Sequence, residues 1–266
     1  MLSDYLEQGL INWILRAQSA PTFGASVHVA LHTADPTDAG TGTEVSGGNY
    51  SRVAVSRAAG SWDAASSRAT QNAGAITFPA PNASWGTVTH WAIWDAATTG
   101  NLLFHGALSQ SKVIGATDPA PSFAIGALDL SFSGAWSTYL ANALFDHILR
   151  NQSAPSFGAS VYISLHTGAP GLTGANEASG GSYARAAVTR ATGSFSAPGT
   201  GGATDNVSQI TFPTPTASWG LITDAGIFDT DTVGNFLWAA TMTDKNVNNG
   251  DPAPYIAAGE LDLTLA

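Results

Sequence analysis

The spacing of apolar positions changes several times along this chain, and then the whole series of changes begins again. Between Ser3 and Arg16, Leu6, Leu10, Trp13, Ile14 and Ala17 fall at i, i+4, i+7, i+8 and i+11, with Ile11 and Leu15 widening the stripe. That spacing predicts an amphipathic helix. Ser3 suits its N-cap, Asp4 and Glu7 its first turn and Arg16 its last, while Pro21 forbids continuation. The pattern returns from Ser137 to Arg150 with Leu140, Leu144, Phe145, Ile148 and Leu149 as its apolar set. After each helix the period becomes two. Val27, Val29 and Leu31 alternate with His28, Ala30 and His32, and Val161, Ile163 and Leu165 alternate with Tyr162, Ser164 and His166. This is the signature of a half-buried strand.

Each strand runs into a long polar loop, which Gly47-Gly48 or Gly180-Gly181 closes into a second strand, YSRVAV or YARAAV. The following region, 56–72 or 189–206, reads as an exposed hairpin or lip. Short strands ending in proline come next (AITFP, QITFP), then a turn anchored by Trp85 or Trp219. The strand pairs TVTHWAIWDA and LITDAGIFDT, their hairpin loops DAATTG and DTDTVG, and the returning strands complete each copy. The expected fold is mainly β with one amphipathic helix per unit: two tandem antiparallel β-sandwich domains, jelly-roll or Ig-like, with turn signals every eight to twelve residues. The unit boundaries expected are 1–134 and 135–266, joined by the short segment FSGAW.

Composition narrows the function. Of 266 residues, 11% are charged and the net charge is −10. There is no Lys or Arg cluster, which argues against a nucleic-acid partner. No run of about eighteen apolar residues is present, so no membrane insertion is expected. With no cysteine, thiolate metal sites and disulfides are excluded. A weakly charged surface rich in Gly, Ala, Ser and Thr suits packing against other subunits.

Candidate chemistry is sparse. His28, His32 and Asp35 have the residue types of a zinc site, but the second copy has Tyr162 and Ala169 at two of these positions, so packed or hydrogen-bonded histidines are expected. Asp35, Asp38 and Glu44, or Asp229 with Asp231, are loose acidic groups without a calcium-loop pattern. No metal, no cofactor and no catalytic residues are therefore assigned. Glu44 and Glu177 are the carboxylates whose mutation would test for a hydrolase. Tyr50 and Arg52, repeated as Tyr183 and Arg185, put a phenol and a guanidinium on one strand face. The expected role is structural: a bidentate pair with Glu44 or Asp95, and with Glu177 or Asp229, anchoring the loop. His32 and His166 recur in Leu-His-Thr and read as further loop anchors. Trp62, Trp91 and Trp94 occur in the first copy alone and are the candidate partner-contact residues.

The combination YLEQGLINWILR, VALHTADPTDAGTGTEVSGGNYSRVAV and THWAIWDAATTGNLLFHGAL resembles a family of tailed-bacteriophage virion proteins, the tail fibre or minor tail proteins, along essentially the whole chain and twice. The resemblance implies a structural, non-enzymatic role in a virion, made in the host cytoplasm. The expected function is tail or fibre attachment through symmetric subunit contacts. The alternatives are capsid decoration and a carbohydrate-binding module recognising host glycan. The partners expected are other virion proteins and further copies of the chain. A trimer is favoured, because three two-domain chains offer six similar lobes to a six-fold ring.

Overall fold

The computed structural model describes residues 1–265; Ala266, the last position of the expected second unit, lies outside them. The chain is mainly β, with one helix in each copy, and its sheets are antiparallel, as the pattern predicts. The helices α1 (Asp4–Arg16) and α2 (Thr138–Arg150) begin at the expected serines. Ser3 Oγ accepts from the amide of Leu6 at 3.2 Å and Ser137 Oγ from that of Leu140 at 3.0 Å, which satisfies one orphan donor of each first turn. Ala17, expected in the apolar stripe, instead lies past the helix end. It is exposed at φ 53°, and Asn151 takes the same left-handed conformation at the end of α2.

Two compact units result, and each draws on both sequence copies. One comprises Met1–Glu7, Pro21–Phe132 and Asn142–Ala154; the other comprises Gln8–Ala20, Ser133–Ala141 and Pro155–Ala266. The division runs through both helices and so does not follow the 134/135 boundary there.

The first unit contains β1 (Ser26–His32), β2 (Val53–Ser56), β3 (Ala69–Gln71), β4 (Ile76–Thr77), β5 (Gly86–Trp94), β6 (Leu102–Ile114), β7 (Ser122–Phe123) and β8 (Asp129–Ser131). Its main sheet has the order β2-β1-β5-β6, with β3-β8 and β4-β7 as two-stranded ladders. The second unit contains β9 (Ser160–His166), β10 (Ala186–Thr189), β11 (Ile210–Thr211), β12 (Gly220–Phe228), β13 (Phe236–Val247) and β14 (Tyr255–Ile256). Its sheet β10-β9-β12-β13 repeats the first, and β11-β14 repeats β4-β7. Along β5–β6 the register slips between Val88/His90 and Lys112/Ala107, and along β12–β13 between Ile222/Asp224 and Lys245/Thr241. Each slip puts a bulge on an edge strand, which breaks up a surface that would otherwise template strand addition.

In the first unit Leu6, Leu144, Ile148 and Leu149 are fully buried, and Phe145 stacks near Phe104 and Phe132 at 5.8 and 4.2 Å. In the second, Leu10, Ile11, Ile14, Leu15 and Leu140 are fully buried, and Trp136 stacks on Trp238 at 5.0 Å.

The region expected to be an exposed lip is pinned to this core. Trp62 and Asn72 form a bridge and neither is exposed. Asn72 Nδ2 donates to the carbonyls of Gly74 and Ala124, and its Oδ1 accepts from the amide of Leu128. Phe195 and Asn206 repeat the arrangement, with Asn206 bound to Ser208, Ala257 and Leu261. A buried amide that satisfies three backbone groups fixes a segment whose composition reads as loop.

Arginine closes the helix ends. In the first unit Arg57, buried, donates from Nε to the carbonyl of Ile148 and from Nη2 to that of His147, each at 2.6 Å, and from Nη1 to those of Phe23 and Gly24. In the second, Arg190 donates to the carbonyls of Ile14, Trp13, Phe157 and Gly158. Each guanidinium thus takes two of the carbonyls that a helix leaves unpaired at its end. Arg57→Ala should lower the stability of the full chain by about 3 kcal/mol, because one buried and three partly buried carbonyls lose their donor at once. Arg57→Lys should recover only part of the loss, since an ammonium cannot reproduce the planar fork. The urea midpoints of the three proteins check this.

Candidate functional site

The loop after β1, and its counterpart after β9, carry the recurring polar chemistry. Glu44 and Glu177 sit in these loops, bridged in register to the last strand residues His32 and His166. Arg52 Nε and Nη2 grip the two oxygens of Glu44 at 2.9 and 2.8 Å, while Nη1 donates to the carbonyls of Ala96 and Thr99, both at 2.8 Å. Arg185 grips Glu177 at 2.8 Å on both oxygens and reaches the carbonyls of Thr230 and Val233. One guanidinium therefore ties the polar loop to the β5–β6 or β12–β13 hairpin turn. Its other face is covered by an aromatic ring: Trp94 at 4.1 Å from Arg52, Phe228 at 3.4 Å from Arg185. Coverage by a ring and a bidentate carboxylate is the environment in which arginine outperforms lysine.

The tyrosines complete the clamps. Tyr50 donates its hydroxyl proton to Glu44 at 3.0 Å and accepts from the amide of Leu31 at 2.9 Å; Tyr183 does the same with Glu177 and Leu165. Burial, and then the neighbouring carboxylate, push both phenols well above their ordinary value. Burial also opposes the charge of Glu177, but Arg185 and the Tyr183 hydroxyl outweigh it and hold the carboxyl below its usual range. Glycine lets the loop close onto the ring. Gly40 at φ 69° and Gly174 at φ 77° have left-handed backbones, and a Cβ at Gly174 would lie 2.6 Å from Phe228.

Asp95 and Asp229, the alternative partners for the arginines, have a different task. Each closes its own hairpin by accepting from the amide and side chain of Asn101 or Asn235, all at 2.7 Å.

The two recurring histidines differ. His166 Nδ1 lies 2.7 Å from the Ala175 carbonyl, which only accepts, so Nδ1 carries the proton and Nε2 accepts from Ser164 Oγ at 2.8 Å. His166 thereby holds its loop. His32 is equally buried; the Gly42 backbone lies beside its ring, but neither ring nitrogen makes a well-formed hydrogen bond, and it stacks near Trp94 at 6.3 Å. Burial lowers the pKa of both. The difference at Nε2 traces to a pair of small residues. Ser164 fits beside Gly226, where a Cβ would stand 2.9 Å from its hydroxyl. The first copy has Ala30 and Ala92 there, both fully buried.

The tryptophan expectation needs correcting. Trp62 is 0% exposed and Trp94 8% exposed, so neither offers a contact surface: one is a core aromatic at the position of Phe195, the other the lid on Arg52. Trp91 is half-buried and covers Gly106. These side chains are large and apolar enough that folding consumes them first.

His28, His32 and Asp35 are not gathered either, and among the described residues no group of three or more His, Asp or Glu is arranged to hold a metal. Asp35 and Asp38 turn instead to His105. Its Nε2 lies 2.8 Å from Asp38 Oδ1, its Nδ1 3.5 Å from Asp35 Oδ1, and His90 stands 4.0 Å from Asp35. Sequence reasoning missed this cluster because its members lie far apart along the chain. It also missed Arg57 and Arg190, although their recurrence in a chain with nine basic residues was a legible signal.

Each copy thus repeats one clamp: arginine, glutamate, tyrosine and an aromatic lid. A family model described as "Podophage GP4 fiber I protein gp80" matches residues 1–131 and again residues 135–264. The chain belongs to this podophage fibre family. No curated protein matches the chain. The two matches cover nearly the whole sequence, so the fibre family is present as a tandem duplication, and the clamps fall at corresponding places in the two copies. The carboxylates of Glu44 and Glu177 are bound to arginine and tyrosine within the fold. Among the described residues no helix is long and apolar enough to cross a membrane.

Two predictions follow from this geometry. Arg52→Ala and Arg185→Ala should each destabilise the chain by roughly 2–4 kcal/mol, because each strands a partly buried glutamate and two carbonyls; denaturant titration of each variant measures it. Ala30→Ser should destabilise alone and become favourable when combined with Ala92→Gly, with a coupling of about 1 kcal/mol as His32 gains the partner that His166 has. A double-mutant cycle gives the coupling, and a value near zero would refute the pairing.

Proposed function

We propose that this chain is a structural component of the fibre apparatus of a tailed phage, and that it assembles through symmetric contacts between copies of itself, as a trimer. The observation that carries the reading is the double match to one fibre family on a single chain. A duplicated body gives a trimer six similar lobes, which suits the junction of a three-fold fibre with a six-fold tail. The low charge content supports close packing among subunits. The clamps fit this role, since they stiffen exposed loops that a neighbour would contact. The partners on this reading are other virion proteins of the tail, and the location is the virion.

A second reading, recognition of host glycan, has one observation in its favour, and it is not the tryptophans. The second unit carries a groove of about 640 Å³ lined by Tyr255, Lys245, Asp244, Glu260 and Asp262 among others. Tyr255 is exposed and Lys245 lies over its ring at 5.1 Å. An aromatic face beside carboxylates is the chemistry that sugar rings use.

Light scattering on the purified chain should return three times the 27.1 kDa chain mass, and images of the particle should show the density in the fibre layer. A monomer at tens of micromolar, or density on the capsid surface, would overturn the reading. Binding of host polysaccharide that is lost in Tyr255→Ala would favour the second.

A further inference from the structure

The two units share their clamps, but the first has a cluster of ionisable groups that the second lacks. Glu7 lies in the first turn of α1, where the helix dipole favours an acid. It is 1% exposed, and its Oε2 has no hydrogen-bond partner. A buried carboxylate with an unpartnered oxygen is costly when charged. Asp38 of the 35–41 loop and Asp4 on its own helix oppose its charge electrostatically, and the amino group of Met1 favours it. The loop docks here through its backbone, because the Asp38 carbonyl accepts from the amide of Asp4 at 3.0 Å. It docks through its side chains as well. Asp38 and Asp35 flank the buried His105 of β6, and His90 of β5 lies beyond Asp35. The corresponding residues of the second copy are Ala141 for Glu7, Leu172 for Asp38, Ala169 for Asp35, Ala239 for His105 and Asp224 for His90. There the amide of Thr138 takes the carbonyl of Leu172 at 3.2 Å, with no buried charge beside it.

We propose that the first unit carries a proton-controlled latch on its 35–41 loop. With Glu7 uncharged, the loop is seated against the start of α1 and on His105. With Glu7 charged, a buried carboxylate lies in the repulsive field of Asp38 and Asp4 where the loop docks, and the loop loosens. The direction is fixed by linkage. Burial first, and then Asp38 and Asp4, push the Glu7 carboxyl up from its ordinary 4.5 to about 7, against the opposing Met1 amino group. A carboxyl that keeps its proton longer in the fold than in the unfolded chain makes stability fall as pH rises between those two values. The loop is therefore tightest below about pH 4.5, loosens progressively up to about pH 7, and stays loose above it. The consequence for a fibre protein is one loop that responds to pH around neutrality and one that lacks the responding carboxyl, on the same chain.

Hydrogen exchange on the full chain at pH 6 and pH 8.5, corrected for the intrinsic pH dependence of exchange, tests this with the second loop as internal control. Residues 34–43 should lose protection at the higher pH by about tenfold or more relative to residues 168–176, a shift of one pKa unit corresponding to tenfold. Glu7→Gln, and Glu7→Ala as in the second copy, should remove the difference. Carbon NMR of the labelled Glu7 carboxyl should show it titrating near neutrality, and this readout does not depend on either variant folding. Loops that change together, a pH effect that survives in Glu7→Gln, or a Glu7 carboxyl that titrates at its ordinary value would each overturn the proposal.

Discussion

The grip of a guanidinium on backbone carbonyls is the interaction on which the rest of this structure depends. A chain rich in Gly, Ser, Thr and Ala makes short strands and long connections, so many carbonyls lie outside regular ladders. Each such carbonyl, once buried, must find a donor. Arg52 and Arg185 supply two carbonyls of a hairpin turn and the carboxylate of a loop from one rigid fork. Arg57 and Arg190 supply two helix-end carbonyls and two from the segment that precedes the sheet. Four of the nine basic residues are committed in this way, which leaves few cations for a solvent-facing surface.

Duplication preserved these interactions and let others diverge. The clamp tolerates either Trp94 or Phe228 as its lid because the guanidinium needs a flat apolar face and little else. The histidine at the strand end was held less strictly. In one copy Ser164 and Gly226 give its Nε2 a hydrogen bond, and in the other Ala30 and Ala92 leave that nitrogen packed without one. The ionisable cluster diverged furthest, being present around Glu7 and His105, with alanine or leucine at four of the five positions in the other copy and Asp224 at the fifth. A fibre protein built from two similar bodies thereby acquires two chemically distinct loops without altering its sheet.

Much of this was legible from the residues in order. The helices, with their serine caps and arginine ends, follow from the 3.6-residue spacing. The strands β1 and β9 follow from alternation, and the two copies from the recurrence of both. The pairing of Arg52 with Glu44 was legible too, because two charges that recur together in a weakly charged chain have few other partners. The burial of Trp62 was not. It sits in a stretch of small and polar residues with no large apolar neighbour in sequence, and its bridge to Asn72 accompanies its burial.

What the sequence determined by itself is therefore local or repeated: element type, helix limits, the fold class, the duplication and the recurring clamp residues. These depend on backbone periodicity and on the scarcity of charge, both of which are properties of the linear chain. Only the tertiary structure decided that each compact unit takes a helix segment from both copies, that Arg57 and Arg190 cap helix ends, and that Glu7 loses its solvent beside Asp38. Desolvation and donor–acceptor pairing across roughly a hundred residues are set by which backbones come to lie together, and no spacing within a copy encodes that.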